Sequence, residues 1–276
     1  MIKWIRRFWR NWFITKLNIS NAQLTSLPEN LPQRLKILGC HNNQLTSLPE
    51  NLPQSLETLT CFNNQLTSLP DNLPPKLHTF WCFNNQLTAL PENLPPNLQI
   101  LCCNNNNLTS LPKKLPQSLQ FLNCNINQLT SLPKDLPQGL LRLGCNNNKL
   151  TSLPEQLPPN LQMLWCNNNK LSILPDLPLS LIDLSLYSNP LEINYPKIHT
   201  FKIYTFNWCY MFPKDVISYV NECNSQRRTQ TRARAIASEL AEIYYRRALH
   251  PSRLAHLLDN PEEDPNDFMD KLSEFI

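Results

Sequence analysis

The sequence predicts a stacked β-solenoid with one short strand in each turn, followed by a small α-helical region. Two observations predict this fold. First, one pattern of leucine, cysteine, asparagine and proline recurs every 21 residues within residues 14–196. Second, each repeat holds two prolines, which remove main-chain donors and clash inside a helix. The period therefore cannot be three heptads of a coiled coil.

Each repeat divides into a strand and an extended return. It reads L-x-x-L-x-C-x-N-N-x-L-x-x-L-P-x-x-L-P-x-x, and positions 3 to 7 alternate between the two faces of a strand. We expect positions 4 and 6 to face inward and positions 3, 5 and 7 to face outward. The L-P-x-x-L-P half fixes φ twice, which predicts polyproline-like backbone on the opposite side. The eight repeats and a partial ninth begin at Ile14, Leu35, Leu56, Leu77, Leu98, Leu119, Leu140, Leu161 and Leu181.

The composition excludes several classes of chemistry. Only 3 of the 276 residues are Gly, so no glycine-rich loop for a phosphate or a dinucleotide can be built. The net charge of +4 comes from residues 1–13, because residues 14–196 and 197–276 each hold equal numbers of basic and acidic residues. We therefore expect no nucleic-acid partner, no cofactor and no small-molecule substrate.

One asparagine recurs at position 9 of every repeat except the first, which has Ala22 there. A buried amide without partners costs about 1–3 kcal/mol, so we expect main-chain groups of adjacent turns to satisfy each of these side chains. A catalytic role is not expected for them. The asparagines are Asn43, Asn64, Asn85, Asn106, Asn127, Asn148, Asn169 and Asn189.

These residues resemble the leucine-rich repeat, L-x-x-L-x-L-x-x-N-x-L, with cysteine in the sixth place. The short L-P-x-x-L-P form is similar to repeats of bacterial effector proteins delivered into host cells, and NNQLTSLPENLPQSL is similar to repeats of giant DNA viruses of amoebae. The resemblance covers about 183 of the 276 residues. It implies a leucine-rich repeat solenoid with a curved parallel β-sheet, a polyproline-like convex side and a concave face that binds a protein partner.

Seven cysteines occupy position 6, and we interpret them as small apolar core residues. The same position is Ile19 in the first repeat and Leu186 in the last, so it uses size and apolarity rather than sulfur chemistry. No C-x-x-C pair is present, so we expect no metal site. Because no secretory signal is predicted, we expect free thiols in a reducing compartment. Cys102 lies at position 5 and is predicted to be an exposed thiol. The seven are Cys40, Cys61, Cys82, Cys103, Cys124, Cys145 and Cys166.

The outward strand positions point to a partner-binding site on the concave face. Large aromatic and methionine side chains recur there, and we predict that they anchor a protein partner. The alternative is that these side chains only shield the sheet or pack on each other. The predicted contact residues are Phe62, Trp81, Phe83, Phe121, Met163, Trp165 and Tyr187.

Residues 1–13 predict a basic amphipathic helix. The segment runs without a linker into Ile14, which favours a cap on the first turn. The alternatives are contact with an anionic membrane through Trp4, Trp9 and Trp12, or a targeting segment. Basic residues interrupt every apolar run in the segment, so we expect no secretory signal.

Residues 197–276 predict a cap and a helical domain. Pro213, Pro251 and Pro265 each stand where a first helical position would suit them. Residues 227–249 have helical periodicity. Their predicted apolar face comprises Ala233, Ile236, Ala237, Leu240 and Tyr244.

The leading functional hypothesis is a non-catalytic protein that mediates protein–protein interaction in a host or cellular cytosol. An effector-type enzyme is the rival, because some bacterial effectors with similar repeats carry a ubiquitin-ligase domain whose catalytic Cys is followed two residues later by Asp. Neither Cys209 nor Cys223 has that Asp. A third hypothesis is a membrane-surface protein held by residues 1–13.

Overall fold

The computed structural model describes residues 14–191 and 213–248, with helix side chains described for residues 216–236. The predicted helix over residues 1–13 and the predicted helix starts at Pro251 and Pro265 lie outside the described residues. The chain divides into two compact units, Met1–Cys223 and Asn224–Ile276.

The repeats form one sheet of nine parallel strands, which confirms the predicted solenoid. The strands pair in sequence order, so each strand contacts only the strand before it and the strand after it. Residues 21 apart stand side by side, as Leu59 and Phe80 do, until the shortened eighth repeat reduces the offset to 20. The strands are β1 Lys16–Asn18, β2 Ile37–Gly39, β3 Thr58–Thr60, β4 Thr79–Trp81, β5 Ile100–Cys102, β6 Phe121–Asn123, β7 Arg142–Gly144, β8 Met163–Trp165 and β9 Asp183–Ser185.

The core lies behind the sheet and follows the predicted alternation. Position 4 is fully buried from Leu38 in β2 to Leu164 in β8, and position 6 is buried in every repeat. Leucines of the return segments close the core from the other side. Burying one such side chain contributes roughly 1.5–3 kcal/mol, but only when a neighbouring turn covers it. The stability of the solenoid therefore depends on uninterrupted stacking.

The asparagine at position 9 is satisfied as predicted. In the fourth repeat, Asn85 Oδ1 accepts the N–H of Leu66 at 3.0 Å. Its Nδ2 donates to the carbonyl oxygens of Cys61 and Cys82, both at 3.1 Å. The same pattern recurs through the eight asparagines, so this side chain fastens each turn to the one before it.

A second asparagine, at position 8, closes the turn after the strand. The backbone there adopts φ of 52° to 56°, the left-handed region that asparagine tolerates better than most residues. Exposed amides at this position bond from turn to turn, as Asn63 Nδ2 does to Asn42 Oδ1 at 2.6 Å. Ile126 takes the position in the sixth repeat and interrupts this ladder. Sequence reasoning predicted neither the positive φ nor the ladder.

The return half of each repeat contains neither helix nor strand, as expected from its paired prolines. It ends in a tight turn, in which the Leu77 N–H donates to the Pro74 carbonyl oxygen at 3.1 Å. This turn leads the chain into the next strand, and it recurs in each repeat.

Helix α1 spans Pro213–Ala248. It begins at Pro213, as predicted, because a proline in the first position costs no intrahelical hydrogen bond. Ala233 and Ile236, the first residues of the predicted apolar face, are exposed. Among the described residues, no helix is long and apolar enough to cross a membrane.

The first turns of α1 belong to the same compact unit as the repeats. Val216, Ile217 and Val220 are buried in the solenoid core. Asn221 binds the main chain of Leu177 twice: its Oδ1 accepts the N–H at 2.8 Å, and its Nδ2 donates to the carbonyl oxygen at 3.1 Å. The helix thereby satisfies a main-chain donor and acceptor in the last full turn.

Candidate functional site on the sheet

The candidate site is the side of the sheet that faces away from the core, which we call the open face. It consists of the side chains at positions 3, 5 and 7 of each turn. Because the register aligns equivalent positions and adjacent strands lie about 4.8 Å apart, each position forms a column across the sheet. Each column places residues 21 apart in the sequence, from adjacent repeats, side by side.

An aromatic stack occupies the open face of the second to fourth turns. The rings of His41 and Phe62 stack with centroids 4.3 Å apart, and those of Phe62 and Phe83 stack at 4.4 Å. Trp81 tilts beside them, with its centroid 6.3 Å from that of Phe62, and remains 38% exposed. We call these four residues the aromatic stack.

Phe121, another of the predicted contact residues, lies apart from the aromatic stack. Phe121 lies on β6, two strands beyond Trp81, and makes no ring contact with the other described residues. It lies beside Ile100 and Arg142 instead. His41 joins the stack, and its place at position 7, one repeat before Phe62, was the signal that sequence reasoning missed.

A second group lies at the other end of the open face. Met163 and Trp165 point the same way from β8, and both are half-buried. Trp165 Nε1 donates to Asp183 Oδ2 at 2.9 Å, which fixes the indole across the neighbouring strand. Tyr187 follows β9 at position 7 and is also half-buried. The two ends of the open face thus carry separate aromatic groups.

Between them, asparagine side chains bind main-chain N–H groups at position 7. Asn125 Oδ1 accepts the Asn146 N–H at 2.7 Å, and Asn146 Oδ1 accepts the Asn167 N–H at 2.9 Å. Asn123 Oδ1 accepts the Asn125 N–H at 3.2 Å. A Cβ at Gly144 would lie 3.0 Å from Asn125 Oδ1, so this glycine makes room for that amide. These bonds show that an oxygen acceptor on the open face can reach the main-chain N–H at position 7.

Solved structures similar to this chain carry the same kind of repeat. YopM from Yersinia enterocolitica WA-314 is 34% identical, with a TM-score of 0.50, over 64% of this chain and 47% of YopM. YopM from Yersinia pestis, described as a leucine-rich effector protein, is 31% identical over 66% of this chain and 74% of its own, with a TM-score of 0.36. The chain is a leucine-rich repeat protein.

The fold likeness extends to the functional domain of InlJ from Listeria monocytogenes, which includes a cysteine ladder. It is 24% identical, with a TM-score of 0.55, over 66% of this chain and 45% of InlJ. Our leucine-rich repeat protein spans less than half the length of the first YopM chain and of InlJ. No protein-family model and no curated protein matches the sequence.

The seven cysteines at position 6 of this leucine-rich repeat protein are core residues, as predicted. All are free thiols with no solvent exposure. Burial raises the pKa of the Cys40 and Cys166 thiols to about 12 and that of the five between them well above the ordinary value. A thiol that stays protonated is a poor nucleophile and a poor metal ligand.

The prediction that Cys102 is an exposed thiol is wrong. Its side chain lies in the column of position 5 but is only 9% exposed, because it is short and stands between Trp81 and Asn123 on the adjacent strands. Burial raises its pKa to about 11. Cys223, in α1, is half-buried. Cys209 lies outside the described residues.

Charge is scarce on the open face. From the first to the eighth turn, its three columns hold no Asp or Glu, and they hold two residues with a fixed positive charge, Lys16 and Arg142. The nearest acid beside it is Glu57 at position 2, whose pKa is lowered by a hydrogen bond from Lys36 at 2.9 Å. The open face is therefore aromatic, rich in amides and weakly positive.

Proposed function

We propose that this leucine-rich repeat protein is a non-catalytic binding protein that recognises a partner protein through the open face. The observation that carries the proposal is the aromatic stack, in which Trp81 stays 38% exposed beside the stacked rings of His41, Phe62 and Phe83. Exposed aromatic groups in one patch are typical anchors of protein interfaces.

The packing of the aromatic stack favours binding over simple shielding of the sheet. Rings stacked about 4.4 Å apart hold each other in place, so little side-chain entropy remains to be lost when a partner binds. The strand beneath each ring is fixed by pairing on both sides. Contacts between such a preorganised surface and the partner are therefore offset little by the entropy cost of ordering the rings.

The remaining predicted contact residues are proposed to flank this centre. Phe121 lies towards the middle of the open face, and Met163, Trp165 and Tyr187 lie towards its C-terminal end. The bond from Trp165 to Asp183 holds the second indole in a defined orientation. A partner that spans all the predicted contact residues, from Phe62 after β3 to Tyr187 after β9, would cross seven strands.

We also propose that the protein works in a host or cellular cytosol. Support comes from the free thiols packed side by side in the core, which suit a reducing compartment. Localising a tagged full-length protein in host cells by microscopy tests this part separately. Accumulation outside the cytosol would contradict it.

A quantitative capture experiment tests the proposed interface. We expect the double variant Trp81→Ser, Phe83→Ser to lose the partner captured from host lysate by the wild-type protein, because the centre of the patch is removed. The matched control is Ile173→Ser, Leu179→Ser, which removes two exposed apolar side chains at positions outside the open face. Thermal unfolding confirms that both variants are folded.

The partner should bind the control variant with wild-type affinity. If the open-face variant retains every partner that the wild type captures, the proposal is wrong. If the control variant loses the partner and the open-face variant keeps it, the interface lies elsewhere on the solenoid.

A further inference from the structure

The main-chain N–H at position 7 is bound by an asparagine side chain in some turns and, among the described residues, lacks an acceptor in others, including the ninth turn at Tyr187. In the sixth to eighth turns, asparagine side chains accept this donor. In the first turn, Asn18 Oδ1 accepts the Ser20 N–H at 3.1 Å in the same manner. We call a position 7 donor that is bound in this way capped.

Four consecutive turns leave the same donor uncapped. In the second to fifth turns, no acceptor among the described residues bonds the N–H of the position 7 residue. The reason is that neither side chain that could cap the donor is Asn: position 5 of these turns holds Gly, Thr, Trp or Cys, and position 7 of the preceding turn holds Ser, His or Phe. Thr60 Oγ1 bonds His41 Nδ1 at 3.2 Å instead. The uncapped donors belong to His41, Phe62, Phe83 and Asn104.

Three of these four donors belong to residues of the aromatic stack itself. The donors therefore form a row, about 4.8 Å apart, along the edge of an exposed aromatic surface. A main-chain N–H without a protein acceptor can exchange water for a ligand oxygen, and it cannot bond to another donor. A partner fits this part of the open face if it offers oxygen acceptors next to apolar side chains.

The charge of the open face favours carboxylates among those acceptors. Its columns hold no acid in the first eight turns, and Lys16 on β1 and Arg142 on β7 flank the uncapped row on both sides. The first acidic residue of the open face is Asp183 on β9, and it is bound by Trp165. The acid beside the uncapped row, Glu57 at position 2 of the third turn, is paired with Lys36 at 2.9 Å, so little repulsion opposes a negatively charged segment there.

We infer that the second to fifth turns bind an acidic segment of the partner protein, with an aromatic or aliphatic side chain on the aromatic stack and carboxylate or carbonyl oxygens on the uncapped N–H row. The inference rests on the proposed function and names its ligand chemistry. Single-stranded RNA would also offer acceptors and stacking bases, but backbone binding needs a track of Lys and Arg, and the columns of the first eight turns hold only two such residues.

Selection from a library of random linear peptides on the immobilised full chain tests the inference. We expect the enriched peptides to share Asp or Glu close to an aromatic or aliphatic residue. The double variant Lys16→Glu, Arg142→Glu should enrich basic peptides instead. The variant Lys113→Glu, Lys134→Glu has the same net charge but alters exposed residues of the return segments, and it should enrich acidic peptides as the wild type does.

A second variant caps one main-chain N–H of the row without removing an aromatic ring. Thr60→Asn places an amide at position 5, where Asn18 and Asn123 cap the N–H two residues later, so it should cap Phe62. We expect it to weaken binding of an enriched acidic peptide about tenfold, the effect of losing one hydrogen bond to a charged group. Thr60→Val, which also loses the bond to His41 but cannot cap, should remain within about twofold.

The outcomes separate this inference from the proposed function. Peptides without an acidic preference, or peptides whose affinity is the same for Thr60→Asn and Thr60→Val, would overturn the inference alone, provided that Trp81→Ser abolishes their binding. Peptides that bind Trp81→Ser as tightly as the wild type would overturn both. An absence of enriched peptides, or tighter binding of a uridine oligonucleotide than of any peptide, would also overturn the inference.

Discussion

At the residue scale, the turn after each strand depends on a backbone conformation that few side chains accept. Position 8 has φ near 53° in every repeat, and asparagine is the residue that most repeats place there. Its amide also bonds its neighbours in a ladder from Asn21 to Asn105 and again from Asn147 to Asn168. One residue thus closes a turn and joins it to the next.

Ile126 breaks this rule, and we predict that Ile126→Asn stabilises the protein. Its backbone has φ of 53° and its side chain is 50% exposed, so a β-branched residue is held in the left-handed region without burial in return. Relief of that strain should raise the free energy of unfolding by about 1–2 kcal/mol. The new amide would also lie between Asn105 and Asn147.

Chemical denaturation followed by circular dichroism measures the effect. Ile173→Asn is the matched control, because Ile173 is 52% exposed and does not have a positive φ. It should change the stability by less than about 0.5 kcal/mol. Equal stability changes for the two variants would show that strain at Ile126 is not the cause.

At the scale of the repeated element, the column of buried cysteines makes the stability of the fold decrease at alkaline pH. In the folded protein, burial raises the pKa of the Cys40 and Cys166 thiols to about 12, whereas an unfolded thiol has its ordinary value of 9.0. Between these values the unfolded state releases protons that the folded state retains. Stability is therefore fully present below pH 9 and falls as the pH rises towards 12.

We predict that removing thiols makes the protein less sensitive to alkali. Each buried thiol contributes a slope of about 1.4 kcal/mol per pH unit in that window. The variant Cys61→Ala, Cys103→Ala should be less stable at pH 7 because of the lost packing, yet its stability should fall less steeply above pH 9. Urea denaturation at several pH values between 7 and 9.5 gives both quantities, because the combined slope of seven thiols would remove the whole stability at higher pH.

The comparison variant removes bulk without removing a thiol. Leu59→Ala, Leu101→Ala creates cavities at position 4 of the same two turns but retains all seven cysteines of the column. Its stability should fall with pH as steeply as that of the wild type. If both variants show the wild-type slope, titration of the column does not control the alkaline loss.

The elements that could be predicted from the sequence are those set by periodicity. The strands, the buried cysteines and the bonds of the asparagine at position 9 follow from a spacing of 21 and from the cost of an unpaired buried amide. The burial and the ring contacts that depend on side chains of a neighbouring strand could not be predicted from the spacing. Cys102 is covered by Trp81 and Asn123, and His41 enters the stack because the register brings its ring against Phe62.

The candidate site, too, could be predicted only in part from the sequence. The sequence predicted Phe62, Trp81 and Phe83 on one face, because alternation along a strand fixes the direction of a side chain. It did not predict the uncapped N–H row, since main-chain donors carry no signal in a sequence pattern. That row becomes visible only when the asparagines at positions 5 and 7 are seen to cap the same group in other turns.

At the scale of the whole molecule, a solenoid has ends, and each end lacks one neighbour. Every internal turn is bonded on both sides, whereas a terminal turn needs another element of the chain to cover its outer side. In the described residues, the beginning of α1 fills this role with three apolar side chains and with Asn221 on the main chain of Leu177. Residues 1–13 are predicted to do the same at the other end, and that prediction lies outside the described residues.

We predict that Asn221→Ala loosens the C-terminal end of the solenoid before the rest. The substitution leaves the N–H and the carbonyl oxygen of Leu177 without their partner, at a cost of about 2 kcal/mol. Because each turn contacts only its neighbours, the loss should remain local. Hydrogen exchange should accelerate at the Leu177 amide and stay unchanged at the Leu87 amide, which Asn106 binds in the middle repeats of the solenoid.

Ser218→Ala is the control, because Ser218 lies on the same turns of α1 but is exposed. It should leave exchange at both amides as in the wild type. Faster exchange at Leu177 in both variants would mean that the helix, rather than the Asn221 amide, sets the local stability. Faster exchange at Leu87 as well would mean that the nine strands open as one unit, and the nearest-neighbour description of this solenoid would then be wrong.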